Sequence, residues 1–253
     1  MSEDVILYLV EGKKEVSVTT QIRAINLISD FEILPSGRNI VYGTTIYGLF
    51  KEVQKYLDEG IDFDLFPILT EIAKKQGSSV LDNLTRHDIS EIYLIFDYDP
   101  HATNFSEEKI RAMCEIFNDE YTTGKLFINY PMIEVFRHCY KLTKVEQDFI
   151  SLISPFPKAG LAEYKNHVSA LLPEIKDMDC QLTIKKVILN TIIKSNFLIT
   201  ENLIYPENNE SIPQNSLLEK QLAYGDNFHL LSGIPLFIHY YHRHEVLYNS
   251  LTN

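Results

Sequence analysis

Two uninterrupted apolar runs, Val5–Val10 and residues 92–96, lead straight into carboxylates: Glu11 and Glu15 after the first, Asp97 and Asp99 after the second. A strand wetted on one side alternates apolar and polar residues. Runs without alternation belong to strands covered on both faces, as in parallel sheets. Both acidic clusters then fall at carboxyl ends of parallel strands, the edge where open α/β sheets build their sites. Carboxylates gathered there repel one another, and a divalent cation such as Mg²⁺, bound by hard oxygen ligands, relieves the repulsion.

The chain around these runs alternates strand and helix. Val16, Ile22, Ile25 and Ile28 fall at helical spacing over residues 14–29, and a short strand at 31–34 ends in the turn signal Pro35-Ser36-Gly37. Residues 44–57 put Ile46, Leu49, Phe50 and Val53 on one helical face, with Gly60 placed to stop the helix. The spacing predicts a further helix over 63–75, broken early by Pro67 and closed at Gly77. After the strand at 92–96, Ser106 is a candidate cap for a helix reaching about residue 120, and a fourth strand at 125–129 ends at Tyr130-Pro131. Strands joined by helical crossovers make an α/β fold with a parallel sheet of about four strands and helices on both faces. From residue 133 the apolar spacing turns helical, over 135–152, 163–172, 182–199 and 217–231, with a polar loop at 205–214. The expected organisation is an α/β half, residues 1–140, followed by an α-helical half, residues 141–253, that holds substrate or a partner.

Composition narrows the setting. With 253 residues, 45% of them hydrophobic, the chain can bury a sizeable core as one large domain or a domain with an appendage. Cys114, Cys139 and Cys180 are odd in number and lack CxxC spacing, which argues against a disulfide framework or a zinc knuckle. The start, Met1-Ser2-Glu3-Asp4, lacks the basic flank of a signal peptide, and no apolar run has the ~18 residues of a membrane span, so a cytoplasmic location without membrane is expected. A net charge of −12 argues against broad adhesion to nucleic acid. It leaves room for an acidic enzyme that grips phosphodiesters through cations and a local basic patch, for which Lys13, Lys14, Arg23 and Arg38 are candidates.

The order of the motifs carries a family resemblance. Glu11-Gly12 after the first strand and Asp97-Tyr98-Asp99 after the third resemble the Toprim domain shared by topoisomerases, primases and a group of nucleases, over roughly residues 4–134. Glu11-Gly12-Lys13-Lys14-Glu15 is similar to the variant in OLD-type nucleases and related bacterial anti-phage effectors. Tyr130-Pro131-Met132-Ile133-Glu134 is similar to a segment ending in Glu found in stand-alone members of that group. The resemblance implies a Toprim-like, Rossmann-like sheet and a nuclease that cuts DNA or RNA, transfer RNA included, as a toxic effector in anti-phage defence. It implies metal ligands at Glu11, Glu15, Asp97, Asp99 and Glu134. OLD-type nucleases join an ATPase to the Toprim domain. No Gly-x-x-x-x-Gly-Lys-Ser/Thr phosphate loop occurs in this sequence, so a separate ATPase partner is expected.

The residues read the same way on chemical grounds. Asp97 and Asp99 point to opposite faces of an intact strand, but at a fraying end both can turn toward a cation. Glu11 and Glu15 lie one turn apart if a helix opens at Gly12, where the missing Cβ allows a sharp turn and the helix amino terminus favours phosphate. Five carboxylates are more than one Mg²⁺ takes from protein, which suits two ions, Mg²⁺ or Mn²⁺. Lys13 or Lys14 would neutralise charge on the reacting phosphate, and Lys13 joins Glu11, Asp97 and Asp99 as catalytic candidates. Glu15 and Glu134 fit a helix cap or solvated face equally well, and His101 fits a loop residue with no role. Tyr8, Tyr47 and Tyr93 fall on apolar faces and read as core.

The far end offers less. His239 and His242 are spaced for one helix face beside His244, but without neighbouring Cys or carboxylate a mixed aromatic surface is the better reading than a metal site. Phe228, Leu231, Ile234, Phe237 and Tyr241 form either a docking surface for the ATPase or a seam that closes the core. An exposed aromatic face on the last helix would suit a homodimer. The alternative to a nuclease is a Toprim-fold binding or regulatory subunit without catalysis; a third reading is a nucleotidyl or phosphoryl transferase.

Overall fold

A computed structural model describes residues 4–24, 31–144, 153–154, 157–171, 178 and 180–253. The sheet has five strands, β1 (Val5–Val10), β2 (Arg38–Val41), β3 (Ile89–Asp97), β4 (Asn118–Asp119) and β5 (Gly124–Asn129), in the order β2-β1-β3-β5-β4. All neighbours are parallel except β4, a two-residue edge strand antiparallel to β5. Between the strands lie α1 (Lys13–Arg23), α2 (Ile46–Asp58), α3 (Leu65–Lys75) and α4 (Glu107–Ile116). Beyond them come α5 (Glu134–Lys144), α6 (Leu161–Leu171), α7 (Gln181–Thr200), α8 (Gln214–Ala223), α9 (Gly233–Tyr241) and α10 (His244–Thr252). The fold is thus α/β, with a mostly parallel sheet flanked by helices and a helical carboxyl-terminal region.

Four details depart from the sequence reading. The second strand is not at residues 31–34 but at Arg38–Val41: Ile33 and Leu34 are buried by side-chain packing, while the ladder to β1 is made by a shorter segment that fully buries only Ile40. Pro67 does not break α3. It is the third helical residue, where the missing N–H is one the first turn leaves unbonded anyway, and Asp64 caps the start by accepting from Phe66 N at 2.8 Å. The helix capped by Ser106 ends at Ile116, and the one expected over 217–231 ends at Ala223; Leu231 instead pairs with Tyr130 in an isolated bridge. Residues 25–29 and 145–152 of the expected helices lie outside the described residues. Gly60, at φ 66°, follows α2 as the stop signal predicts.

The core is continuous from the sheet into the helical region. Phe237 of α9 lies with ring centroids 4.5 Å from Tyr93 of β3, 5.6 Å from Tyr8 of β1 and 5.6 Å from Phe127 of β5. α9 comes this close because it begins with Gly233: a Cβ there would sit 3.1 Å from the Ile128 backbone. Phe228, Leu231, Ile234 and Phe237 are fully buried, so they form the seam and not a docking surface; Tyr241 is half-buried beside them. On α10, Val246 and Tyr248 are exposed. Tyr8, Tyr47 and Tyr93 are core residues as expected, and all three cysteines are free. Among the described residues no helix is long and apolar enough to cross a membrane.

Candidate functional site

Parallel pairing brings three strand ends to one edge. Val10 lies opposite Ile95, and Asp97 lies opposite Asn129. The segments leaving those ends line one cavity of about 450 Å³, and Glu11, Lys13, Glu15, Asp97, Asp99 and Glu134 all reach it. Lys14 and His101 also line it, and α6 supplies Leu161, Ala162 and Lys165. All six catalytic and metal-ligand candidates, Glu11, Lys13, Glu15, Asp97, Asp99 and Glu134, are therefore brought together.

Each acid is held by a local cause. Asp97 ends β3, and its carboxylate accepts from Asn129 Nδ2 at 3.1 Å. Asn129 is itself fixed: its Oδ1 accepts from Gly233 N at 2.9 Å and from Ser232 Oγ at 3.2 Å, at the start of α9. Tyr98 turns into the core, where its N–H donates to Asn129 O at 3.1 Å and its carbonyl accepts from Tyr47 Oη at 2.7 Å. Asp99 follows at φ 33°, in the left-handed region that Asp tolerates better than most residues, so the chain bends and both acids stay on the cavity. Its Oδ1 accepts from the His101 backbone N–H at 3.3 Å. Glu11 Oε2 accepts from Asp97 N at 3.4 Å.

Glu15 is buried in the first turn of α1, and its Oε2 accepts from Gly12 N at 2.9 Å, so it serves as a helix cap facing the cavity. Glu134 opens α5 and is paired with the ammonium of Lys14. Glu15 thus takes the cap role its sequence allowed, whereas Glu134 is buried and paired, not on a solvated face; both line the site.

Burial and crowding together set the electrostatics. Burial, then the neighbouring Glu15 carboxylate, pushes the Glu11 carboxyl up to about 7, although the Asp97 N–H opposes this; Asp99 and Glu134 add to the rise. Burial and then Glu11 and Glu15 hold Asp97 well above the usual carboxylate range, against the Asn129 hydrogen bond. Glu15 is raised as well, chiefly by burial. Groups that resist ionisation because anions surround them are those a cation would stabilise.

The donor set is all carboxylate oxygen in its charged groups, which fits a hard divalent cation. Its side chains do not close around one as they stand: among the described residues no three His, Cys, Asp or Glu side chains are grouped to hold a metal ion. Glu134 is taken by Lys14, Glu15 by Gly12 N–H, and Asp97 by Asn129.

The chain matches no protein-family model, no curated protein and no solved structure. The site has to be read from its own geometry.

Some expected residues lie elsewhere. Arg23 donates to Pro35 O at 3.2 Å and sits over the Tyr8 ring, and Arg38 donates to Val80 O at 3.0 Å, so neither lines the cavity. The terminal histidines do not share a helix face, because α9 ends at Tyr241. His239 is buried, with Nδ1 3.3 Å from Tyr205 Oη, and burial lowers its pKa to about 4. His242 Nε2 lies 2.8 Å from Ile33 O, and the His244 ring is 5.1 Å from Tyr205. Sequence reasoning missed Asn129 and Lys165. Asn129 was within reach of it, since a polar residue ending an apolar strand beside Asp97 has to bond something; a single lysine on a distant helix carries no such signal.

Proposed function

We propose that the cavity at the carboxyl edge is the active site of a Mg²⁺-dependent nuclease of the Toprim type, which hydrolyses phosphodiester bonds in DNA or RNA. The observation that carries this reading is the convergence of Glu11, Asp97, Asp99 and Glu134 from three strand ends on one cavity rimmed by Lys13, Lys14 and Lys165. Mg²⁺ or Mn²⁺ held there would polarise the phosphate and lower the pKa of an attacking water.

The chain's own residues have separable tasks. Glu11, Asp97 and Asp99 would hold the cation, with Glu134 and Glu15 as further ligands once their present partners yield. Asn129 fixes the Asp97 carboxylate, and α9 fixes Asn129. Lys13, exposed at the amino end of α1, would meet the phosphate as charge builds on it. Action with a separate ATPase in anti-phage defence is part of the proposal and rests on the motif resemblance alone.

The test is incubation of the chain with plasmid, linear DNA and total RNA in Mg²⁺ or Mn²⁺, beside an EDTA control and Asp97→Ala. Cleavage that needs the ion and Asp97 supports the reading; full cleavage by Asp97→Ala sinks it. A second reading, a binding subunit without catalysis, is favoured by the ion pair between Lys14 and Glu134, which occupies a ligand. No cleavage of any of these nucleic acids in either cation would favour it.

A further inference from the structure

We propose that a second, smaller cavity beside the carboxylates is a phosphate subsite for the neighbouring nucleotide of a single nucleic-acid strand, with Arg137 as its cation. This rests on the nuclease reading and extends it to how the substrate is held.

The smaller cavity, about 210 Å³, is lined by Lys14, Ile133, Glu134, Arg137, Val168 and Ser169, with Val18 behind them. Lys14, Ile133 and Glu134 line the larger cavity too, so the two are compartments of one groove. α6 forms a wall of both: Leu161, Ala162 and Lys165 face the larger, Val168 and Ser169 the smaller. These positions recur at helical spacing, so the groove follows the helix axis. From Leu161 to Ser169 that wall runs about 12 Å. Phosphates along one strand are about 3.4 Å apart per nucleotide measured along a duplex axis and farther apart when extended, so the wall spans at least two.

The charges alternate in the same direction. Lys165 stands on the larger compartment with Glu11, Glu15, Asp97 and Asp99; Glu134 and Lys14 lie at the junction, and Arg137 stands in the smaller. Arg137 is half-buried, and among the described residues it forms no ion pair with a carboxylate. A planar guanidinium with no hydrogen-bond partner among the described residues is suited to phosphate oxygens, and partial burial strengthens that attraction. Cavities of about 450 and 210 Å³ are too small to take in a duplex, so a strand that lies along the groove enters it singly.

Lys14 links the subsite to the carboxylates. Its ammonium is now on Glu134. A cation that takes Glu134 frees Lys14 for the phosphate on the other side, so ion and strand bind cooperatively.

Fluorescence anisotropy on the full chain tests this, with labelled oligothymidylate and oligouridylate as probes, Ca²⁺ in place of Mg²⁺, and a labelled duplex as comparison. Arg137→Gln is expected to weaken both single strands about tenfold, roughly 1.4 kcal/mol, and to reduce the slope of log affinity against log salt by about 0.7, the loss of one phosphate contact. Ser169→Glu, at an exposed wall position, should weaken binding at least as much, while Lys55→Gln, paired on α2 outside either cavity, should change nothing. Unaltered melting temperatures separate these effects from misfolding. Wild-type affinity and salt slope in Arg137→Gln and Ser169→Glu, with cleavage intact, would overturn the subsite alone. Preference for the duplex, or equal competition by polyglutamate, would also overturn it. A wild-type chain that neither binds nor cuts any strand overturns the nuclease reading as well.

Discussion

The face of the sheet covered by α9 and its carboxyl edge use the same three strands for opposite ends. On the face, Phe237 lies against Tyr8, Tyr93 and Phe127, all buried. At the edge, Glu11, Glu15 and Asp97 are buried and crowded until their carboxyls resist ionisation. The face stabilises and the edge destabilises. Asn129 joins them, bonded to Gly233 and Ser232 on one side and Asp97 on the other. A repulsive cluster can be held in place because the seam behind it is close-packed and does not give.

Variants on either side of Asn129 should separate the two regions. Phe237→Ala should have the largest effect on stability, a loss of about 3–5 kcal/mol in denaturant melts, because the rigid strands cannot collapse into the void. Asn129→Ala should cost less, about 1–3 kcal/mol, since it strands the Gly233 N–H in a buried place, and it should also weaken Mg²⁺ binding by releasing Asp97. If Asn129→Ala lowers stability and leaves the Mg²⁺ affinity at the wild-type value, the link between face and edge is wrong.

A pH series isolates the edge. Glu11 is raised from 4.5 to about 7, so between those values the folded chain holds a proton that the unfolded chain has released. Stability from this group is therefore full below 4.5, falls as pH rises through the window, and is lowest above about 7. The slope is at most about 1.4 kcal/mol per pH unit, less for the water that reaches the cavity. Melts of wild type and Glu11→Gln in EDTA check it: the variant should show a shallower fall, and parallel curves would contradict the crowding. Lys14→Met should give a modest stability change, about 1 kcal/mol, because Lys14 is exposed while its partner Glu134 is buried and loses its counter-charge. By vacating Glu134 it should tighten Mg²⁺ binding while weakening the strand, opposite signs that a purely structural lysine would not produce. Calorimetry with Mg²⁺ and anisotropy with an oligonucleotide read the two.

The contrast also explains what the sequence disclosed. β1, β3 and β5 were legible because central parallel strands must be apolar on both faces, and the acids stood out for interrupting those runs. β2 was misplaced because an edge strand is defined by backbone pairing, and Arg38-Asn39-Ile40-Val41 buries less than the more apolar segment before it. Phe237 and its neighbours read equally as seam or surface, since periodicity gives a helix an apolar side without saying what covers it. Glu15 was legible both as a site residue and as a cap from its place in the first helical turn, whereas Arg137 and Lys165 have no local signature at all. Their place depends on how α5 and α6 pack, which is a tertiary matter.

The central claim is that the crowded edge exists to hold a divalent cation through Asp97. Isothermal titration of the metal-free chain with Mg²⁺, wild type beside Asp97→Asn, tests it most directly, because the amide keeps an acceptor for Asn129 while removing the charge. Saturable binding by the wild type that Asp97→Asn loses, with both proteins folded, is the predicted result. No binding by the folded wild type, or equal binding by the two, would contradict it.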